Sequence, residues 1–236
     1  MPQFFVSPDS LSDPIIHIRG KEARHMRDVL RLDVGDWVVL CDGRGQRYRA
    51  NITDSRPLHV TLQRGESLPE LKLAHQVTLA AAIIRPQRFD WLVEKAFELG
   101  CHRLVPLLTE RTVDHYVKDT TKQQARWSEI ALSAAKQSGL PWLPQVIPPV
   151  ELAHILKAHD GDLVYCWEGL ALDDTANVAP QKKMSHNLTI LIGPEGGFSQ
   201  SEHAAILAQS PQLLSLGSLI LRSETAALAA LVKVMI

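Results

Sequence analysis

Apolar and polar positions follow two different rhythms along the chain. Up to about Glu70 they mark short strands between turns. Residues 15–18 are β-prone, 37–40 follow a Val34-Gly35-Asp36 turn, 47–52 follow Asp42-Gly43-Arg44-Gly45, and 58–62 come next. Within residues 22–32, Ala23, Met26, Val29 and Leu30 fall at helical spacing, which gathers Arg24, Arg27 and Arg31 on another face. The pattern predicts a small β-barrel carrying one helix.

Ser67-Leu68-Pro69-Glu70 reads as a linker, and from Leu71 the period changes. Residues 77–84 are an apolar run of buried-strand length broken only by Thr78, and 89–99 form an amphipathic helix stopped by Gly100. Residues 104–108 are again a strand, and 122–138 a helix stopped by Gly139. Helices follow at 151–159, 200–209 and 225–236, and strands at 163–166, 188–192 and 213–216. Alternating strand and helix predicts an α/β domain whose mostly parallel sheet is covered on both faces. The expected domains are residues 1–70 and 71–236.

Composition adds little until it is divided. The 236 residues are 45% apolar and 22% charged, with 25 Lys and Arg against 26 Asp and Glu, a formal charge of -1. That excludes a polycationic tail, but a nucleic-acid partner depends on where the charges lie. Residues 21–64 hold 9 basic against 6 acidic side chains, whereas 150–236 hold 5 against 9. Cys41, Cys101 and Cys166 are isolated in sequence, so neither a disulfide scaffold nor a metal site is expected. With no leader-like N-terminus and no apolar run of membrane-spanning length, a cytoplasmic protein is expected.

Two segments carry the candidate chemistry. In the run 188–199, an apolar strand enters Gly193-Pro194-Glu195-Gly196-Gly197, and Ser199 with Glu202 forms a capping box for the next helix. Ligands of open α/β sheets sit at such strand ends, although a plain strand-to-helix turn would need the bend too. Neither a dinucleotide fingerprint nor a phosphate loop is present. The second segment, 216–226, passes through Gly217 to Arg222-Ser223-Glu224 at the start of an apolar helix. A helix N-terminus favours the carboxylate and not the Arg. Arg222 is therefore either catalytic or clamped to Glu195 or Glu224. A third cluster, Arg85, Arg88 and Lys95, is either a phosphate-holding group or a solvated face.

Together these segments closely resemble the 16S ribosomal RNA uridine N3 methyltransferases (RsmE) of the SPOUT superfamily. The likeness extends through residues 89–100, Glu110-Arg111-Thr112-Val113, Arg126-Trp127, residues 134–139, and in the first domain His25, residues 27–32, Gly35-Asp36 and residues 42–45. It implies a PUA-like RNA-binding barrel followed by a SPOUT domain with a deep C-terminal trefoil knot. S-adenosylmethionine would bind in that knot, at a homodimer interface, and 16S rRNA or the small ribosomal subunit would be the substrate.

By the same resemblance, cofactor contacts fall on Leu191, Ile192, Gly193, Pro194, Glu195, Gly196, Leu216, Gly217, Leu219, Ile220, Leu221 and Thr225. A third loop comes from Cys166-Trp167-Glu168. Arg222, Glu195 and Glu224 are expected to be catalytic. Arg222 would hold the uracil or stabilise its anion, and one carboxylate would take the N3 proton or orient the Arg. Arg24, Arg27, Arg31, Arg44, Arg85, Arg88 and Lys95 are expected to meet RNA phosphates. Ser218 and Leu219 stand where many members carry Pro and Arg, and Leu140 where many carry Arg, so two positive charges are missing near the expected RNA entrance. A SPOUT enzyme for another RNA or base, or a non-catalytic RNA-binding assembly protein, shares most of this pattern. The apolar last helix suits either dimer burial or packing within the chain.

Overall fold

A computed structural model of the chain describes residues 1–117, 119–167, 169 and 184–235. It resolves into two compact units. The first contains Met1–Lys72 with Ala135–Leu143, and the second Leu73–Ala134 with Pro144–Ile236.

The first unit is built on five strands, β1 (Gln3–Phe5), β2 (Ile15–Arg19), β3 (Trp37–Cys41), β4 (Arg47–Arg56) and β5 (His59–Ser67), in the order β1-β3-β4-β5-β2. Only β1–β3 is a parallel pair. Two register shifts between β4 and β5 are the irregularities that bend a sheet around its core. That core contains Phe4, Ile16, Val38, Leu40, Ile52, Val60 and Leu62. β1 and the short helix α1 (Pro8–Ser12) carry too few apolar residues to stand out by periodicity.

The helix expected at 22–32 is different in the structure. α2 (Lys21–Arg24) runs into a π-helical turn, His25–Val29, in which the Leu30 amide bonds to the His25 carbonyl. A π turn advances by more residues than an α turn, so the i+3 positions leave the buried face. Ala23 and Met26 are fully buried, whereas Val29 is 64% exposed and Leu30 is exposed as well. Residues 135–143 pack with this unit. Lys136 pairs with Glu22 at 2.5 Å, and the Gln3 side chain donates to the Leu140 carbonyl at 2.7 Å. The Leu140 side chain is buried, so the position where the resemblance leads one to expect Arg lies in the interior here.

Among the described residues the second unit has seven strands: β6 (Gln76–Ala82), β7 (Arg103–Leu108), β8 (Gln145–Val146), β9 (Val150–Glu151), β10 (Asp162–Tyr165), β11 (Asn187–Ile192) and β12 (Gln212–Leu213). All are parallel, in the order β12-β10-β11-β6-β7-β8, with β9 also against β7. The apolar runs of β6 and β11 are buried on both faces, as a helix-covered parallel sheet requires. α3 (Pro86–Glu98) starts on a proline and buries Phe89, Leu92, Val93, Ala96 and Phe97. α4 (Thr120–Ser138) up to Ala134, α5 (Leu152–Ala158), α6 (Gln200–Leu207) and α7 (Ser223–Met235) belong to the same unit. Of the strand expected at 213–216 only Leu213 falls in β12, which leaves residues 214–216 in the loop that reaches the site. Among the described residues no helix is long and apolar enough to cross a membrane.

Leu79, in the centre of β6, is fully buried. Leu79→Ala is expected to lower the unfolding free energy by about 2–5 kcal/mol, measured by urea titration.

Candidate active site

β11 lies between β10 and β6, so the strand order reverses there, and ligands of open parallel sheets bind outside the carboxyl ends at such points. A cavity of about 420 Å³ opens at this place, a size that suits a small molecule. Three segments line it: the end of β10, the glycine turn after β11, and the run from Leu214 into the first turn of α7.

The glycine turn is shaped by local chemistry. Gly197 has φ +69°, in the left-handed region that favours glycine. A Cβ on Gly193 would come within 3.1 Å of the Phe198 ring, so the missing side chain lets Phe198 fold beneath the turn, where it meets Tyr165 edge-on at 5.8 Å. The turn ends in the expected capping box. Ser199 Oγ accepts from the Glu202 amide at 3.2 Å, and Glu202 Oε2 accepts from the Ser199 amide at 2.8 Å.

A second set of contacts reaches the turn from the loop after β7. Glu202 Oε1 accepts from the Glu110 amide at 2.9 Å, Ser201 Oγ donates to Glu110 Oε1 at 2.7 Å, and Arg111 Nη1 donates to the Gly196 carbonyl. The Ser201 hydroxyl, then that of Ser199, holds the Glu110 carboxyl below its usual range. Sequence spacing gave no sign of Arg111 as an anchor, because its partner lies 85 residues away.

Most of the expected cofactor residues come together. Cys166, Trp167, Ile192, Gly193, Pro194, Glu195, Gly196, Leu216, Gly217, Leu219, Ile220 and Leu221 line the cavity, and Arg222 lines it too. Leu191 and Thr225 do not. Leu191 alternates with Ile192 and packs into the core beneath the sheet, while Thr225 is an exposed residue of α7. Glu168 lies outside the described residues. Gly197, Leu214, Ser223 and Ala226 also line the cavity; Ala226, at i+4 from Arg222, was readable from helical spacing. Trp167 stacks near His203 at 4.6 Å, and His203 shares a 3.0 Å hydrogen bond with the Tyr165 hydroxyl.

The charged residues sort differently from expectation. Among the described residues Arg222 forms no ion pair, so the clamp reading fails for it. Arg88 instead pairs with Glu195 at 3.1 Å and approaches Glu224 at 3.7 Å, so it is engaged by carboxylates while staying partly exposed. Glu224 is buried and does not line the cavity. Lys95, expected to meet phosphate, is held by Glu94 at 2.7 Å and Glu98 at 2.8 Å, hydrogen bonds that raise its proton affinity. Arg27 is bonded to Asp28 at 2.7 Å, and this lowers the Asp28 carboxyl. Arg24, Arg31, Arg44 and Arg85 remain exposed.

Residues 70–235 match the RNA methyltransferase domain family, and residues 18–63 match the RNA methyltransferase PUA domain. The chain is 30% identical to the ribosomal RNA small subunit methyltransferase E of Synechocystis, over 97% of this chain and 75% of that one. It is also 30% identical to the Bacillus subtilis protein of the same name, over 92% and 88%. Among solved structures, a Neisseria gonorrhoeae ribosomal RNA small subunit methyltransferase E bound to S-adenosylmethionine superposes with a TM-score of 0.86. It is 26% identical, over 98% of this chain and 95% of that one.

Cys166 faces the cavity, yet burial pushes its thiol up to about 12, with the Lys233 charge opposing weakly. Burial likewise lifts Cys41 to about 11 and Cys101 to about 12. Thiols of this kind are thiolate in roughly one molecule in a thousand to one in ten thousand at pH 8, so iodoacetamide is expected to alkylate the native protein at least about a hundredfold more slowly than the denatured chain. Intact-mass spectra over time read the difference, and the native rate is expected to climb with pH.

Proposed function

Because the chain belongs to the ribosomal RNA small subunit methyltransferase E family, we propose that it methylates N3 of a specific uridine in 16S rRNA, using S-adenosylmethionine. The observation that carries this reading is Arg222, without an ion pair among the described residues, on the wall of a glycine-lined cavity that also presents Glu195. The cavity fits the cofactor on three counts. Its volume suits a nucleoside-sized ligand, Gly193, Gly196 and Gly217 expose main chain to it, and Glu195 is an anion suited to a sulfonium cation. When bound, S-adenosylmethionine supplies an electrophilic methyl carbon.

The chain's own residues then have separable tasks. The glycine turn and residues 216–221 hold the cofactor, chiefly through backbone. Arg222 meets the uracil and stabilises the anion formed as N3 loses its proton. In this reading Glu195, which lines the cavity and is steadied by Arg88 at its Oε1, takes that proton. Glu224, off the cavity wall, orients and does not accept. The target base must leave its stack to reach such a pocket.

The PUA-containing first domain, residues 1–70, serves to hold RNA, with Arg24, Arg31 and Arg44 as phosphate contacts, and Arg85 does the same for the catalytic domain, residues 71–236. In this reading the enzyme acts as a cytoplasmic homodimer. Leu219 at 76% and Ile220 at 70% exposure form an apolar rim beside the cavity that a second copy would cover. The C-terminal segments are taken as threaded into the trefoil knot. Insertion of β11 between β10 and β6, with α7 packed back against both β11 and β6, supports that assignment.

Incubation with labelled S-adenosylmethionine and small ribosomal subunits, followed by nucleoside mapping, is expected to place the label on N3 of one uridine; label elsewhere overturns the assignment. Arg222→Ala is expected to slow transfer by about 10²–10³-fold with little change in cofactor affinity. For RNA binding, four phosphate contacts give a slope of about -3 in log affinity against log salt. An affinity flat in salt removes the arginines from the interface.

A further inference from the structure

Four charged side chains gather at the carboxyl ends of β6 and β11. They are Arg88 in the first turn of α3, Glu195 in the glycine turn, Arg222 just before α7, and Glu224 in its first turn. Two cations and two anions allow more than one pairing. The structure holds a single arrangement: Arg88 Nη1 donates to Glu195 Oε1 at 3.1 Å, and Arg88 Nε lies 3.7 Å from Glu224 Oε1. Arg222 is left exposed on the cavity wall with no ion pair among the described residues.

The arrangement is not neutral in cost. The Glu224 side chain is only 9% exposed, and its Oε2 is buried without a hydrogen-bond partner. A buried carboxylate with unfilled acceptor capacity draws any cation within reach, because an uncompensated buried charge is strongly unfavourable. Arg222 stands two residues away along the chain. Were Arg88 absent, Glu195 and Glu224 would both lack a counter-charge, and Arg222 would be the cation at hand to compensate them. It would then turn away from the cavity.

We propose that Arg88 is a positioning residue for methyl transfer: by engaging both carboxylates, it keeps the Arg222 guanidinium free for the substrate base. The role rests on the reading given above that Arg222 meets the uracil. It differs from a phosphate contact, which would act on RNA affinity, and from a purely structural ion pair, which would act on stability.

The test compares wild type with Arg88→Met, Arg88→Lys, and the double variant Arg88→Met with Glu224→Gln. Thermal melts first establish that each is folded, and Arg88→Lys serves if Arg88→Met is not. Arg88→Met is expected to lower kcat about 10–100-fold through misplacement of Arg222, with affinities for S-adenosylmethionine and RNA held within about twofold. Arg88→Lys is expected to recover part of the rate. The double variant is expected to be faster than Arg88→Met alone, because the buried anion that captures Arg222 has been neutralised. A double variant no faster than Arg88→Met overturns the proposal, as does a loss confined to RNA affinity.

A readout independent of turnover separates this idea from the functional assignment. Phenylglyoxal modification of Arg222, followed by peptide mass spectrometry, is expected to be slower in Arg88→Met than in wild type and to recover in the double variant. If wild type fails to methylate RNA but Arg222 reactivity follows this order, the functional reading falls and the charge arrangement stands. Unchanged Arg222 reactivity sinks the arrangement whatever the substrate proves to be.

Discussion

Glu202 is 9% exposed and uses both carboxylate oxygens, one on the Ser199 amide and one on the Glu110 amide. The first bond closes the N-terminus of α6, and the second ties the loop after β7 to the turn after β11. Charge-assisted bonds of this kind are the strong ones, and neither amide has a strand partner to fall back on. Everything on the cavity's glycine side inherits its position from that carboxylate. The Arg111 bond to the Gly196 carbonyl fixes the tip of the same turn, and the Gly193–Phe198 contact fixes its base. A flexible glycine segment becomes a shaped surface through contacts made from outside it.

Charge within the second unit is arranged by the same economy of partners. Lys95 is satisfied on its own helix, Arg126 by Asp90 at 2.7 Å, and Arg88 across three segments. Among the described residues, the cation left uncommitted at the cavity is Arg222. A net charge of -1 therefore says little about electrostatic work at the site, which depends on which cations remain uncommitted.

The sheet of the second unit was legible because β6 and β11 read as apolar runs without alternation, the mark of strands buried on both faces. The glycine turn was legible for a local reason too, since strand, bend and capping box lie within about a dozen residues. The π turn after α2 was not, because its first apolar positions obey α spacing and only the hydrogen-bond pattern departs. β8, β9 and β12, two residues each, carry no period at all. Neutralisation of Lys95 was available from Glu94 and Glu98 at neighbouring and i+3 positions. The partners of Arg88, by contrast, sit at 195 and 224, and nothing but the assembled fold brings them to one place. Resemblance supplied the site's membership; the geometry supplied its pairings.

β11 occupies the middle of the sheet although it lies late in the chain, and Gln76 of β6 must wait for Asn187 to find its neighbour. Such pairing is slow because the intervening segment has to be gathered before any contact repays it. During synthesis, β6 is made long before its partner, so one edge of the growing sheet stays unfilled until most of the polypeptide has been translated. The cavity borrows its walls from the ends of β10 and β11 and from the segment that leads into α7, so it needs parts of the chain made far apart in time. A chain cut before Leu214 lacks the third wall, and cofactor binding thereby reports that the segment from Leu214 to Ala226 is in place.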